Sequence, residues 1–77
     1  MIDLKSTFGE WVRVTTVQGN VCTGLVGDYL DPYDTEEEYE GIVLDHCVRV
    51  RDGYVYPNPI EFDAPNIKDV EIIEKPR

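Results

Sequence analysis

The residues with the clearest chemical potential lie in one acidic stretch near the middle of the chain. The segment Asp28–Glu40, called the acidic segment below, holds seven carboxylates and no lysine or arginine. Three tyrosines are interleaved with these acids. Aromatic rings stack on the apolar parts of an extended peptide, while carboxylates select arginine or lysine. The sequence therefore predicts a face for a basic or proline-rich peptide. Its predicted residues are Tyr29, Asp31, Tyr33, Asp34 and Tyr39.

The same residues have plainer interpretations. The acids can form a solvated loop, and the tyrosines can close one end of the domain with their hydroxyls in water. Weak Ca²⁺ binding is a further alternative, although the order of residues from Asp31 to Glu36 does not match the EF-hand pattern.

Enzymatic chemistry finds little support in the sequence. It has no nucleophile elbow, glycine-rich phosphate loop or HExxH motif. Carboxylates become catalytic through burial or close neighbours, and a solvated run such as Glu36–Glu38 offers little of either. We therefore expect a non-enzymatic protein that uses no cofactor and no metal.

Length and charge restrict the class of protein further. The chain has 77 residues and a net charge of −9. A chain this short buries only about 60% of its unfolded surface, so residues 1–77 are expected to form one domain with a thin core. The acidic segment carries −7 of the charge, which leaves −2 for the other 64 residues. Overall acidity argues against nucleic acid, because binding to phosphates depends on cationic side chains.

The two cysteines, Cys22 and Cys47, allow at most one bridge and lack metal-site spacing. We expect both to be reduced, half-buried packing residues. The N-terminus fits neither a signal peptide nor a membrane span, so a cytoplasmic protein is expected.

Glycine and proline divide the chain into short pieces rich in β-branched and aromatic residues, which predicts an all-β barrel or sandwich. The five predicted strands are Trp11–Val17, Val21–Tyr29, Ile42–Val50, Tyr54–Phe62 and Val70–Glu74. In the third strand, alternation places one set of residues on the inner face, namely Ile42, Leu44, His46, Val48 and Val50. The opposite set is Asp45, Cys47, Arg49 and Arg51.

Turn signals connect these strands. The residues 18–20 and 51–53 predict tight antiparallel hairpins. Residues 3–8 predict a helical turn capped by Asp3, with Leu4 and Phe8 on one face. Residues 64–69 predict a 3₁₀ turn before the last strand.

Several short motifs follow one another along the chain. The first comprises Val12-x-Val14, Gly19, Gly24-Leu25-Val26 and Asp31, and the second half is carried by residues 42–45 and 67–73. Over roughly residues 9–74, this order resembles that of the Sm-like (LSm) family. The resemblance implies a five-stranded, strongly bent antiparallel barrel whose subunits assemble by pairing their strand edges. Gly24 would allow the second strand to bend where a side chain would collide. SH3-like barrels share this strand layout, but their paired tryptophans are absent.

The chain departs from the family at its RNA-binding positions. Asp31 is not followed by the family's Met-Asn pair, and Lys68-Asp69 stands where the family has Arg-Gly. Carboxylates would also repel an RNA phosphate at this point. Ordinary Sm-type RNA binding is therefore disfavoured, whereas assembly through strand edges is retained.

Three functional hypotheses follow. The first is a self-associating scaffold or binding module with a protein partner. The alternatives are an RNA binder whose basic surface lies away from the acidic segment, and an acidic inhibitor that mimics nucleic acid towards a basic partner. For the first hypothesis, the predicted subunit contact uses the last two predicted strands, with Phe62 and Ile72 as apolar anchors. The predicted interface residues are Tyr54, Tyr56, Phe62, Val70 and Ile72.

Overall fold

A computed structural model describes residues 3–35 and 38–76 of the chain. Its strands are β1 (Trp11–Thr16), β2 (Val21–Leu30), β3 (Gly41–Arg49), β4 (Tyr54–Val55), β5 (Ile60–Asp63) and β6 (Ile67–Ile73). A four-residue helix, α1 (Pro32–Thr35), follows β2, and 3₁₀ helices span Leu4–Thr7 and Ala64–Asn66.

The strands form one antiparallel sheet in the order β4-β3-β2-β1-β6. β5 also pairs with β3, at residues 41–44, whereas β4 pairs with β3 at residues 48–49. The all-β prediction is therefore confirmed. The five-stranded barrel is not, because the described residues form six strands in an open sheet. The predicted fourth strand is interrupted at Pro57–Pro59, since proline has no N–H for the ladder and fixes its own φ.

The two longest strands, β2 and β3, bend around the core through two bulges. Leu25 pairs with Asp45 and Thr23 with Val48, so β3 holds one extra residue opposite Gly24. A second extra residue lies on β2 at Gly27.

Both glycines at these bulges are closely packed. A Cβ on Gly24 would lie 2.9 Å from the backbone oxygen of Asp45, and a Cβ on Gly27 would collide with the Asp45 carboxylate. The role predicted for Gly24 at a bend is therefore confirmed.

The core lies on the concave side of the bent sheet, beneath the N-terminal 3₁₀ helix. Its buried apolar residues are Leu4, Val12, Val14, Cys22, Val26, Ile42, Leu44, Cys47, Phe62, Ile67 and Val70. Both cysteines are free and fully buried, deeper than predicted. Burial raises the pKa of both thiols.

The bulge on β3 overturns part of the predicted face assignment. Ile42 and Leu44 are buried as predicted, but His46 has a φ of 53° and is exposed. The extra residue reverses the alternation beyond it, so Cys47 lies in the core and Val50 is 52% exposed. Strict period-two counting fails here because a bulge places two residues opposite one.

The helical turns agree with prediction in position and differ in detail. The Asp3 carboxylate accepts a hydrogen bond from the Lys5 N–H at the start of the first 3₁₀ helix. Leu4 is buried but Phe8 is 58% exposed, because residues four apart do not share a face in a helix of three residues per turn. The second 3₁₀ helix leads directly into β6, three residues earlier than the predicted strand.

The close approach at Gly24 gives a stability prediction. Gly24→Ala should destabilise the protein by about 1–3 kcal/mol, because the new methyl group meets backbone that cannot rotate away. Thr23→Ala, on the partly exposed face of the same strand, should cost less than about 1 kcal/mol. Urea denaturation of both variants measures the two effects, and equal losses would contradict a steric role for Gly24.

Candidate functional site

The acidic segment is anchored at both ends by the sheet. Leu30 at the end of β2 pairs with Gly41 at the start of β3. Next to this pair, the Tyr29 hydroxyl donates a 2.7 Å hydrogen bond to the Glu40 carboxylate. This hydrogen bond raises the pKa of Tyr29 to about 12, because ionisation would place two negative charges side by side. The segment therefore leaves and re-enters the sheet at a fixed point.

The predicted ligand residues separate into two groups. Tyr29 packs against the core and bonds to Glu40, so it anchors the segment. Tyr33 and Tyr39 project outward, at 95% and 49% exposure. The side chain of Asp34 lies outside the described residues. Of the predicted set, Asp31 and Tyr33 are brought into direct contact.

Asp31 and α1 explain why Tyr33 projects from the surface. An Asp31 carboxylate oxygen accepts a 2.8 Å hydrogen bond from the Tyr33 N–H. This is the usual geometry of an acidic residue capping the first turn of a helix, with proline at the first helical position. The sequence Asp31-Pro32 is therefore a local signal for the turn that presents the Tyr33 ring to solvent.

The predicted interface residues also divide by burial. Tyr54 and Ile72 are exposed at 48% and 46%, and Tyr56 is half-buried. Phe62 and Val70 are only 8% and 3% exposed, because their side chains belong to the core. These two residues can offer a neighbour only the backbone edges of β5 and β6.

A network that was not predicted lies at the opposite end of the sheet from the acidic segment. Arg49 donates to both carboxylate oxygens of Asp52, at 2.9 Å from Nε and 2.6 Å from Nη2. Its guanidinium also lies 5.1 Å from the centre of the Tyr54 ring. Tyr54 and Tyr56 contact each other edge to face, with centroids 5.0 Å apart. The sequence could have indicated the ion pair, because Arg49 and Asp52 lie three residues apart around a predicted hairpin turn.

The Arg49–Asp52 pair changes the ionisation of both groups. The hydrogen bonds from Arg49 lower the pKa of Asp52 to about 2, and those to Asp52 raise the pKa of Arg49. The two groups therefore form a bidentate ion pair in which Asp52 stays ionised well below neutral pH.

A second missed feature is the contact between Trp11 and His46. Their rings are stacked with centroids 6.1 Å apart and an angle of 22° between planes. The bulge on β3 places His46 outside the core and against the indole of β1. No residue pattern signals this contact, because it depends on the irregular register between strands.

The described residues contain no group of three or more His, Cys, Asp or Glu side chains placed to hold a metal ion. In the same residues, no helix is long and apolar enough to cross a membrane. No protein-family model matches the chain, and no curated protein matches its sequence. The inference of a function for the candidate site therefore depends on its geometry alone.

The lowered pKa of Asp52 predicts a pH dependence of stability. A carboxyl whose pKa is lower in the folded than in the unfolded state contributes stability at neutral pH, and that contribution is lost as the pH falls from about 4 to 2. Asp52→Asn should be less stable than the wild type at pH 7, and the difference should shrink over this range. Denaturation midpoints between pH 2 and 7 measure it. A constant difference would contradict the charged pair.

Proposed function

We propose that the protein is a non-enzymatic binding module of the Sm-like type that self-associates through the edges of its open sheet and binds a protein partner at its acidic end. The observation that carries the proposal is the pair of sheet edges. Within the described residues, β6 pairs only with β1, and β5 pairs only with β3. Each strand therefore has one edge that no other strand of the described residues pairs with.

The two edges are suited to pairing with each other. An uncovered edge is a template for a strand from a second copy unless charge, proline or a cover blocks it. The β6 edge runs for seven residues and has Ile72 half-exposed near its end. Joining β6 of one copy to β5 of the next is a head-to-tail contact, which gives a ring if the rotation closes.

The sheet also supports the Sm-like assignment. Its strand order places the first, second and third strands at the centre and the last strand beside the first. The long β2 bends at Gly24, the position that the family resemblance indicated. The 3₁₀ helix Ala64–Asn66 turns the chain from one edge strand to the other.

The acidic end supports binding of a basic protein segment. Tyr33 is almost fully exposed beside Asp31, and Tyr39 lies half-exposed before Glu40. An exposed ring beside carboxylates binds the alkyl stem and the charge of arginine together. The Tyr29–Glu40 bond lies one residue from Tyr39 in the chain, so it fixes the point where the segment carrying Tyr39 re-enters the sheet.

Self-association is tested by the mass of the protein in solution. Light scattering on a size-exclusion column should give a multiple of the 8.8 kDa chain mass. Ile72→Lys should lower this mass to that of one chain, because a lysine on an edge strand opposes pairing. Val17→Lys is the matched control, since Val17 is similarly exposed but lies beyond the end of β1. A wild-type protein that stays monomeric at high concentration would refute the edge contact.

Partner binding is tested with a synthetic peptide rich in arginine and proline. Fluorescence anisotropy should show binding that weakens as salt rises, because exposed charges are screened. Tyr33→Ala should weaken it by about fivefold to tenfold, as expected for one cation–π contact, without changing stability. Tyr54→Ala, an exposed tyrosine at the other end of the sheet, should bind the peptide as the wild type does. Unchanged binding by Tyr33→Ala would exclude this site.

A further inference from the structure

The ends of two hairpins enclose a groove on the side of the molecule away from the acidic segment. The β1–β2 turn forms one wall and the end of β3 forms the other, with the Val50 N–H bonded to the Val21 carbonyl at 2.9 Å. The groove has a volume of about 440 Å³, within the range of small-ligand sites. We call it the arginine groove. Its lining residues are Gln18, Gly19, Asn20, Val21, Arg49, Val50 and Arg51.

The lining of the arginine groove has an unusual charge for this chain. The protein has 16 acidic residues and seven basic ones, yet the groove is lined by two arginines and by no carboxylate. The remaining polar side chains are those of Gln18 and Asn20, whose amides can donate hydrogen bonds. The site therefore offers donors and positive charge in an otherwise acidic molecule.

The two arginines differ in what they can offer an anion. Asp52 occupies the Nε and Nη2 donors of Arg49 and offsets its charge, and the Tyr54 ring lies against the same guanidinium. Asp52 itself does not line the groove. Arg51, two residues along the chain, is exposed, and its guanidinium fork matches the two oxygens of a carboxylate or phosphate.

We propose that the arginine groove is a binding site for a small oxyanion, the phosphate or carboxylate group of a low-molecular-weight ligand, with Arg51 as the principal contact and Gln18 and Asn20 as neutral donors. A small ligand fits better than a polyanion, because two arginines line the groove and a chain of net charge −9 repels an extended run of phosphates.

The site is tested by titrating the ¹⁵N-labelled full-length protein with inorganic phosphate and, separately, with acetate. Sodium chloride at matched ionic strength is the reference. Saturable amide shifts should appear at residues 18–21 and 49–51, with a Kd on the order of 1 mM. Tighter binding of phosphate would identify a phosphorylated ligand, and tighter binding of acetate a carboxylate.

Two variants examine the contacts independently. Arg51→Gln should weaken binding by about tenfold, since a hydrogen bond to a charged group is lost. Gln18→Glu should weaken it similarly, because it adds a carboxylate to the groove without changing the arginines. Arg13→Gln is the matched control: Arg13 is about half-exposed, pairs with Glu71 at 3.5 Å and does not line the groove.

Three results would overturn the proposal. They are shifts no larger than those with chloride, shifts that do not saturate, and equal loss of binding in Arg13→Gln. None of them bears on self-association through β5 and β6, because the groove residues belong to neither strand.

Discussion

The close packing of Gly24 and Gly27 against Asp45 is the contact on which the rest of the structure depends. Each glycine lies at a bulge between β2 and β3; a Cβ on Gly24 would meet the Asp45 backbone, and a Cβ on Gly27 would displace the Asp45 carboxylate. Bulges increase the local twist and bend of the strands, which curves the sheet around the eleven buried apolar residues found in the described part of the chain. The bend also moves His46 to the surface and brings Cys47 inside. One local constraint therefore sets both the core and the outer surface.

The length of β2 separates two chemically different ends. β2 runs from Val21, which lines the arginine groove, to Leu30, where the acidic segment leaves the sheet. Charges in salt solution are screened over about 8–10 Å. Screening over this range weakens the effect of the carboxylates beyond Leu30 on the arginines near Val21, even though the chain as a whole is strongly acidic. A net charge describes such a molecule poorly, because each end presents its own field to an approaching partner.

The sequence allowed the positions of turns and strands to be predicted more fully than which strand residues face the core. The hairpin turns at residues 18–20 and 51–53 and the capped turn at Asp3 all depend on neighbouring residues, and all are present. The face of His46 depends on the register with β2, and an inserted residue cannot be read from one strand alone. The interruption of the strand at Pro57–Pro59 could have been predicted from the sequence, since proline has no N–H to donate to a neighbouring strand.

The candidate sites, too, could be predicted only where they depend on residues that are neighbours in the chain. The exposure of Tyr33 beside Asp31 follows from a local capping pattern, so this part of the surface could be predicted. The core positions of Phe62 and Val70 could not, because burial in an edge strand depends on how the sheet curves over the core. The arginine groove joins residues about thirty positions apart in the chain, so charge counting along the sequence placed no site there.

The contact between Trp11 and His46 gives the protein an internal optical reporter. The chain contains one tryptophan and one histidine, and the bulge on β3 stacks the two rings together. Indole emission is sensitive to a neighbouring ring and to water, so the tryptophan fluorescence, excited apart from that of the five tyrosines, reports on a single place in the fold. Any event that straightens the bulge separates the rings and changes the emission, whereas events confined to the distant loops leave it unchanged. The bend that shapes the core can thus be followed in solution without a label.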